Sequence, residues 1–147
     1  MTAPTARNPR LGEIAGEFAA VPDSERLTLL LEYSDELPDL PERYAGQHDQ
    51  LERVVECQTP LFLAVEVGSD QVVHLFFDAP REAPTTRGFA AVLHAALDGL
   101  TAAEVLATPP EFVTQLGLAD LVSPLRLRGL AAMLARIKHQ VSEQAPR

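Results

Sequence analysis

The sequence predicts a single α+β domain, a small antiparallel β-sheet packed against several helices. Three observations lead there. Two short apolar runs, 61–67 (LFLAVEV) and 71–78 (QVVHLFFD), flank the turn signal Gly68-Ser69-Asp70 and read as a hairpin. Leu130, Met133, Leu134, Ile137 and Val141 recur at the 3.6-residue period of a long amphipathic helix. At 147 residues the chain is long enough for one ordinary domain and too short for two.

The elements follow in order. Residues 1–10 read as an N-terminal tail, loosest over 1–7, with the domain over 11–142 and a short C-terminal tail over 143–147. Near the end of that first tail, Asn8-Pro9 offers a cap and a first-turn proline to a short helix running to about Ala20. Pro22-Asp23 opens a second helix. Leu27, Leu30, Leu31 and Leu37 approximate its apolar face, and Pro38 and Pro41 end it. Residues 42–52 read as polar loop. The two strands are nearly continuous in apolar residues, which predicts cover on both faces, by helices. Thr86–Leu97 forms a helix of small residues, stopped by Asp98-Gly99. Thr101-Ala-Ala-Glu104 fits a capping box opening a short helix. Another short helix covers Glu111–Leu116, and Ser123-Pro124 opens the last and longest one.

Composition excludes several function classes. Hydrophobic residues make up 46% and charged residues 22%, a balance that suits a packed domain and not a disordered chain. The single cysteine, Cys57, excludes an internal disulfide framework, CxxC redox motifs and multi-cysteine zinc sites. With no tryptophan and 5% aromatic residues, a base-stacking platform for nucleic acid is not expected. Glycines form neither GxGxxG nor a phosphate loop, and there is no GxSxG elbow. His48, His74, His94 and His139 are scattered without a helical ligand spacing, so no metal site is expected.

The net charge of −9 is unevenly placed. Residues 11–56 carry 12 acids against Arg26, Arg43 and Arg53, whereas residues 57–147 carry nine acids against seven bases. An acidic first third repels phosphate backbones and anionic lipid, which argues against nucleic-acid and membrane-surface binding. It suits a partner with a basic rim, or serves solubility as a solvated face. The start, MTAPTARNPRLGEIAGEF, is broken early by Glu13 and Glu17 and reads as no targeting segment. No run approaches the roughly 18 apolar residues of a membrane span. The expected compartment is the cytoplasm, where a lone thiol stays reduced.

Cys57 is the one residue whose chemistry stands out. A free cysteine is commonly an inert core side chain, but Glu56, Gln58 and Thr59 are poor neighbours for a core position. At a loop-to-strand junction its sulfur can be presented on a mobile tip. Reactivity requires thiolate, and Glu56 opposes it, so a compensating cation is wanted. Arg126 and Arg128 lie at or just beyond the first turn of the last helix, where cations cost a few tenths of a kcal/mol each. They either lay their stems over apolar surface or serve a partner or anion. His74 is read as structural, and Asp78 is left open as a support for the site.

Four segments in order resemble the SufE family of sulfur-acceptor proteins over residues 24–140. These are Leu37-Pro-Asp-Leu-Pro41, Cys57-Gln58 ahead of an apolar strand, Thr86-Arg-Gly-Phe-Ala90, and Leu121-Val-Ser-Pro-Leu-Arg126 with Gly129-Leu130. The resemblance implies a SufE-like single domain in which Cys57 accepts sulfane sulfur, with Gln58 and Arg126 in the family's motif positions. The implied partner is a pyridoxal-phosphate-dependent cysteine desulfurase (SufS-like), which the acceptor stimulates. The implied recipient of the sulfur is an iron–sulfur cluster assembly scaffold, and the acceptor itself holds no cofactor. Little independent turnover is expected. The loop is expected to shelter the sulfur against apolar residues and to open on docking. The sequence departs from the family pattern at Glu56, where glycine is usual, at Thr59 in place of serine, and at Phe62 in place of tryptophan. Losing the glycine narrows the backbone conformations open to the tip. Two other readings of the residues are a standalone thiol enzyme and a noncatalytic interaction domain with a silent cysteine.

Overall fold

The computed structural model describes residues 8–145. Among them are five α-helices, two short 3₁₀ helices and one three-stranded antiparallel sheet. Helix α1 spans Pro9–Ala20. The Asn8 side chain accepts from the Arg10 amide at 3.0 Å and donates to the Ala96 carbonyl at 2.8 Å, so the cap also ties the helix to the core. The Arg10 guanidinium donates to the Asp98 carbonyl at 2.6 Å. Residues 8–10, placed in the tail by the sequence reading, therefore belong to the folded unit, while the tail reading of residues 1–7 lies outside the described residues.

Helix α2, Asp23–Ser34, stops earlier than its apolar pattern suggested. The chain turns at Asp35, whose amide bonds the Glu32 carbonyl in a tightened last turn. Arg87 then takes over: its guanidinium donates to the carbonyls of Ser34, Leu37 and Ala79. It thus satisfies oxygens that the end of α2 and the following turn leave without helical partners. Leu37 is buried from this turn and not from the helix.

The segment 42–52 is more ordered than a polar loop. It holds a 3₁₀ turn, His48–Gln50, and a two-residue strand β1, Glu52–Arg53. Strand β1 pairs with β2 (Phe62–Val67), which pairs with β3 (Val73–Asp78) in the order β1-β2-β3. The hairpin turn is wider than Gly68–Asp70, with Gln71 in the left-handed region at φ 68°. The Val72 amide bonds Asp70 Oδ1 at 3.0 Å. Leu63, Val65, Val73, Leu75 and Phe77 form the buried face of the sheet. The opposite face is covered by loop side chains, a correction to the expectation of helices on both sides. Tyr44 packs on Phe76 with ring centroids 5.3 Å apart, and His48 stacks on Phe62 at 3.9 Å.

The buried face meets α3 (Pro84–Leu97) and α5 (Pro124–Gln144). Helix α3 starts two residues before Thr86, on Pro84. Gly88 brings it against α2, because a Cβ there would sit 2.6 Å from the Leu30 carbonyl oxygen. The capping box opens α4, Ala102–Leu106, with Thr101 and Glu104 bonding reciprocally. Pro110–Leu116 is 3₁₀ and not α, ended by Gly117 at φ 68°. Helix α5 begins on the Ser123 cap and runs to Gln144. Residues 143 and 144, assigned to a tail, are therefore helical, and the Gln144 amide bonds the backbone of Val65 and Val67; residues 146 and 147 lie outside the described residues.

Candidate functional site

Cys57 lies in the connection between β1 and β2. The loop is pinched at its neck by the Val54 amide donating to the Leu61 carbonyl at 2.9 Å. A turn bond from the Cys57 amide to the Val54 carbonyl, 3.1 Å, folds the tip back. The position matches the loop-to-strand junction expected from sequence, but the thiol is turned inward and Cys57 is only 8% exposed. Its sulfur rests on α5 at Gly129, where a Cβ would lie 3.1 Å from Sγ. Glycine at this point of the helix is what lets the loop lie down.

Beside the sulfur is a narrow cavity of about 50 Å³, lined by Cys57, Gln58, Thr59, Thr86, Phe89 and Arg126 among others. The Thr59 hydroxyl donates to the Thr86 hydroxyl at 3.1 Å, joining loop to α3. Arg126 is thus brought to the cysteine, in the first turn of α5, and Gln58 with it. Arg128 is exposed and takes no part in lining the cavity. Two elements separated in sequence, the β1–β2 loop and the start of α5, meet at the thiol.

Glu56 points the other way. Its carboxylate accepts from Arg136 at 2.6 and 3.2 Å, and Arg136 also bridges to Glu52 on β1. The Glu52 carboxylate accepts a further bond from the Gln140 amide at 2.8 Å, while the Gln140 oxygen accepts from the Val65 amide at 2.9 Å. Arg136 holds Glu56 below the usual carboxylate range. The thiol of Cys57 is pushed up to about 11, by burial first and the Glu56 charge second, with Arg136 partly offsetting them. Glu56 thus opposes thiolate as expected, and the charge that answers it comes from Arg136.

Arg136 was missed in the sequence. The signal that could have found it is spacing: Gly129, Arg136 and Gln140 stand seven and four residues apart, on one face of α5. That face looks onto the loop and β2. Neither His74 nor Asp78 lines the cysteine cavity. His74 lies 3.8 Å from Asp98 at the far end of β3. Asp78 pairs with His48 at 2.5 Å on the rim of a neighbouring hollow of about 430 Å³, which shares Thr59 with the cysteine cavity. No group of three or more His, Cys, Asp or Glu among the described residues is placed to hold a metal ion. No helix among them is long and apolar enough to cross a membrane.

Comparison with known proteins gives the family. A family model described as SufE, Fe–S metabolism associated domain, matches residues 12–141. An uncharacterized SufE-like protein of Mycobacterium tuberculosis is 52% identical over 143 residues, covering 97% of this chain and 99% of that protein. The sulfur acceptor protein CsdE of Escherichia coli is 32% identical over 105 residues, covering 71% of this chain and 68% of that one. A solution structure of a hypothetical protein from Thermus thermophilus superposes with a TM-score of 0.81 at 40% identity, covering 93% and 96% of the two chains. A family model spanning nearly the whole described chain and a relative identical at half its positions make this chain a member of the SufE family.

Proposed function

We propose that this protein is a sulfur acceptor whose Cys57 takes sulfane sulfur from the persulfide of a pyridoxal-phosphate-dependent cysteine desulfurase. It stimulates that enzyme and delivers the sulfur to iron–sulfur cluster assembly. The observation that carries the reading is the setting of Cys57: one thiol, on a pinned loop, set in a small cavity with Gln58, Thr59 and Arg126. A relative 32% identical is named a sulfur acceptor protein.

The chemistry is thiol–persulfide exchange. The Cys57 thiolate attacks the terminal sulfur of the partner's Cys–S–SH. The partner's S–S bond breaks, its cysteine leaves as thiolate, and Cys57 becomes the persulfide. One sulfur atom moves, one proton redistributes among the thiols, and there is no net oxidation. Delivery repeats the exchange on a recipient thiol. In the closed loop the thiol is pushed up to about 11, so little thiolate is present at neutral pH. An exposed cysteine with an ordinary value near 8.5 carries far more. Burial therefore keeps the thiol unreactive between visits, and presenting it to a partner activates it. Arg126, which lines the same cavity, is the cation proposed to stabilise the developing thiolate or persulfide anion once the thiol is presented.

The test is the rate of alanine formation by a cysteine desulfurase, with and without this protein. Wild type raises the rate and Cys57→Ser does not. Stimulation retained by Cys57→Ser overturns the acceptor reading in favour of an interaction domain with a silent cysteine. Arg126→Ala lowers stimulation about tenfold with little change in Tm, while unaltered stimulation removes Arg126 from its role.

A further inference from the structure

Beyond the Thr59–Thr86 bond to α3, the cysteine loop is held down on α5 at two points, and they differ in kind. One is contact: Sγ against Gly129. The other is a charged clasp that the functional reading leaves unused. Arg136 reaches from the middle of α5 to Glu56, the residue before the cysteine, and to Glu52, on the strand from which the loop springs. Its guanidinium engages one carboxylate ahead of the loop's first turn and one within it. Gln140, one helical turn further on, ties Glu52 to the β2 backbone. Arg136 and Glu52 are each about three-quarters or two-thirds covered, with side-chain exposures of 24% and 32%. Glu56 is more open, at 38%, so the strand end of the clasp is the better sheltered. Most of the loop's described polar anchorage to α5 runs through this one guanidinium.

We infer that Arg136 is a positioning residue for the sulfur-acceptor site: by clasping Glu56 and Glu52 it holds the loop closed and Cys57 against Gly129, and the clasp must part when the thiol is presented. This inference rests on the acceptor reading for its purpose but not for its test. The charged groups around the thiol are Glu56 and Glu52 on its own strand and loop, and Arg136 and Arg126 on α5.

Field and clasp predict opposite signs. If Arg136 acts only as a nearby cation, removing it strips the thiolate of support and slows its reactions. As a clasp, its removal leaves two carboxylates facing each other without a cation, the loop lifts, burial is relieved and the thiol reacts faster. The probe is iodoacetamide, whose alkylation of Cys57 needs thiolate and access but no desulfurase, followed by intact mass at several pH values between 7 and 10. Arg136→Gln is expected to react threefold or more faster than wild type at each pH, with Arg136→Lys in between, because lysine retains the charge but cannot fork to both carboxylates. Glu56→Gln also reacts faster, and Glu56→Gln with Arg136→Gln is no faster than the quicker single variant, as expected of one shared interaction. A rate for Arg136→Gln equal to or below wild type overturns the inference. Should Arg136→Gln lose the native far-ultraviolet dichroism, Arg136→Lys decides, and a wild-type rate for it overturns the inference equally. Failure of persulfide loading with unchanged alkylation results would count against the acceptor reading and leave the clasp standing.

Discussion

The missing side chain at Gly129 is what lets the Cys57 sulfur lie against α5. A methyl group there would press on Sγ at 3.1 Å, so the loop must give or the helix must shift. Gly129→Ala gains up to about 1 kcal/mol of helix propensity, and the contact consumes part of it. The expected result is a Tm within a few degrees of wild type and faster alkylation of a displaced thiol; an alkylation rate like wild type would show that Gly129 does not seat the sulfur. The raised thiol also links to stability. Because burial favours the neutral form, the contribution is fully present below the ordinary cysteine value near 8.5 and is lost as pH rises toward about 11. Urea unfolding of wild type and Cys57→Ala at pH 8 and above 10 should show wild type losing more stability between the two. Equal losses would mean the thiol is not sheltered in solution.

Elements separate what was legible in the sequence from what was not. Helix starts were legible because caps and first-turn prolines act locally: Asn8-Pro9, the Thr101–Glu104 box and Ser123-Pro124 all open helices as read. The end of α2 was not legible, because what completes it is Arg87, 53 residues on, bonding the Ser34 carbonyl. Strand β1 was hidden for a similar reason. Glu52-Arg53 has no apolar alternation and becomes a strand only by pairing with Phe62 and Leu63. Cys57 and Arg126 were legible as candidates, but their shared cavity is a tertiary fact, and the clasp joins residues 80 and 84 apart. The α2–α3 contact gives the sharpest test at this scale. A Cβ at Gly88 meets the Leu30 carbonyl and side chain at 2.6–2.9 Å. Gly88→Ala should therefore destabilise by about 3 kcal/mol or more despite its better helix propensity. A loss under about 1 kcal/mol by urea titration would show that the two helices slide apart freely.

Across the described residues, a helical scaffold supports the cysteine loop, and the first third of the chain is acidic. Some of those acids are internally answered, Glu52 and Glu56 by Arg136 and Asp23 by Arg26. The rest leave residues 11–56, the stretch that leads into the loop, strongly negative. A docking partner with a basic rim would be steered there, and its association would weaken as salt shortens the screening length from about 10 Å at 0.1 M toward about 3 Å at 1 M. Salt-independent binding to a desulfurase would instead place docking on apolar contacts. The proposed transfer turns on the sulfur of Cys57. Its most direct test is intact-protein mass after incubation with an active cysteine desulfurase, pyridoxal phosphate and cysteine, without reductant, for wild type and Cys57→Ser side by side. The account predicts one added sulfur atom on wild type alone, removed by reduction; an unmodified wild type beside a demonstrably active cognate desulfurase would contradict it.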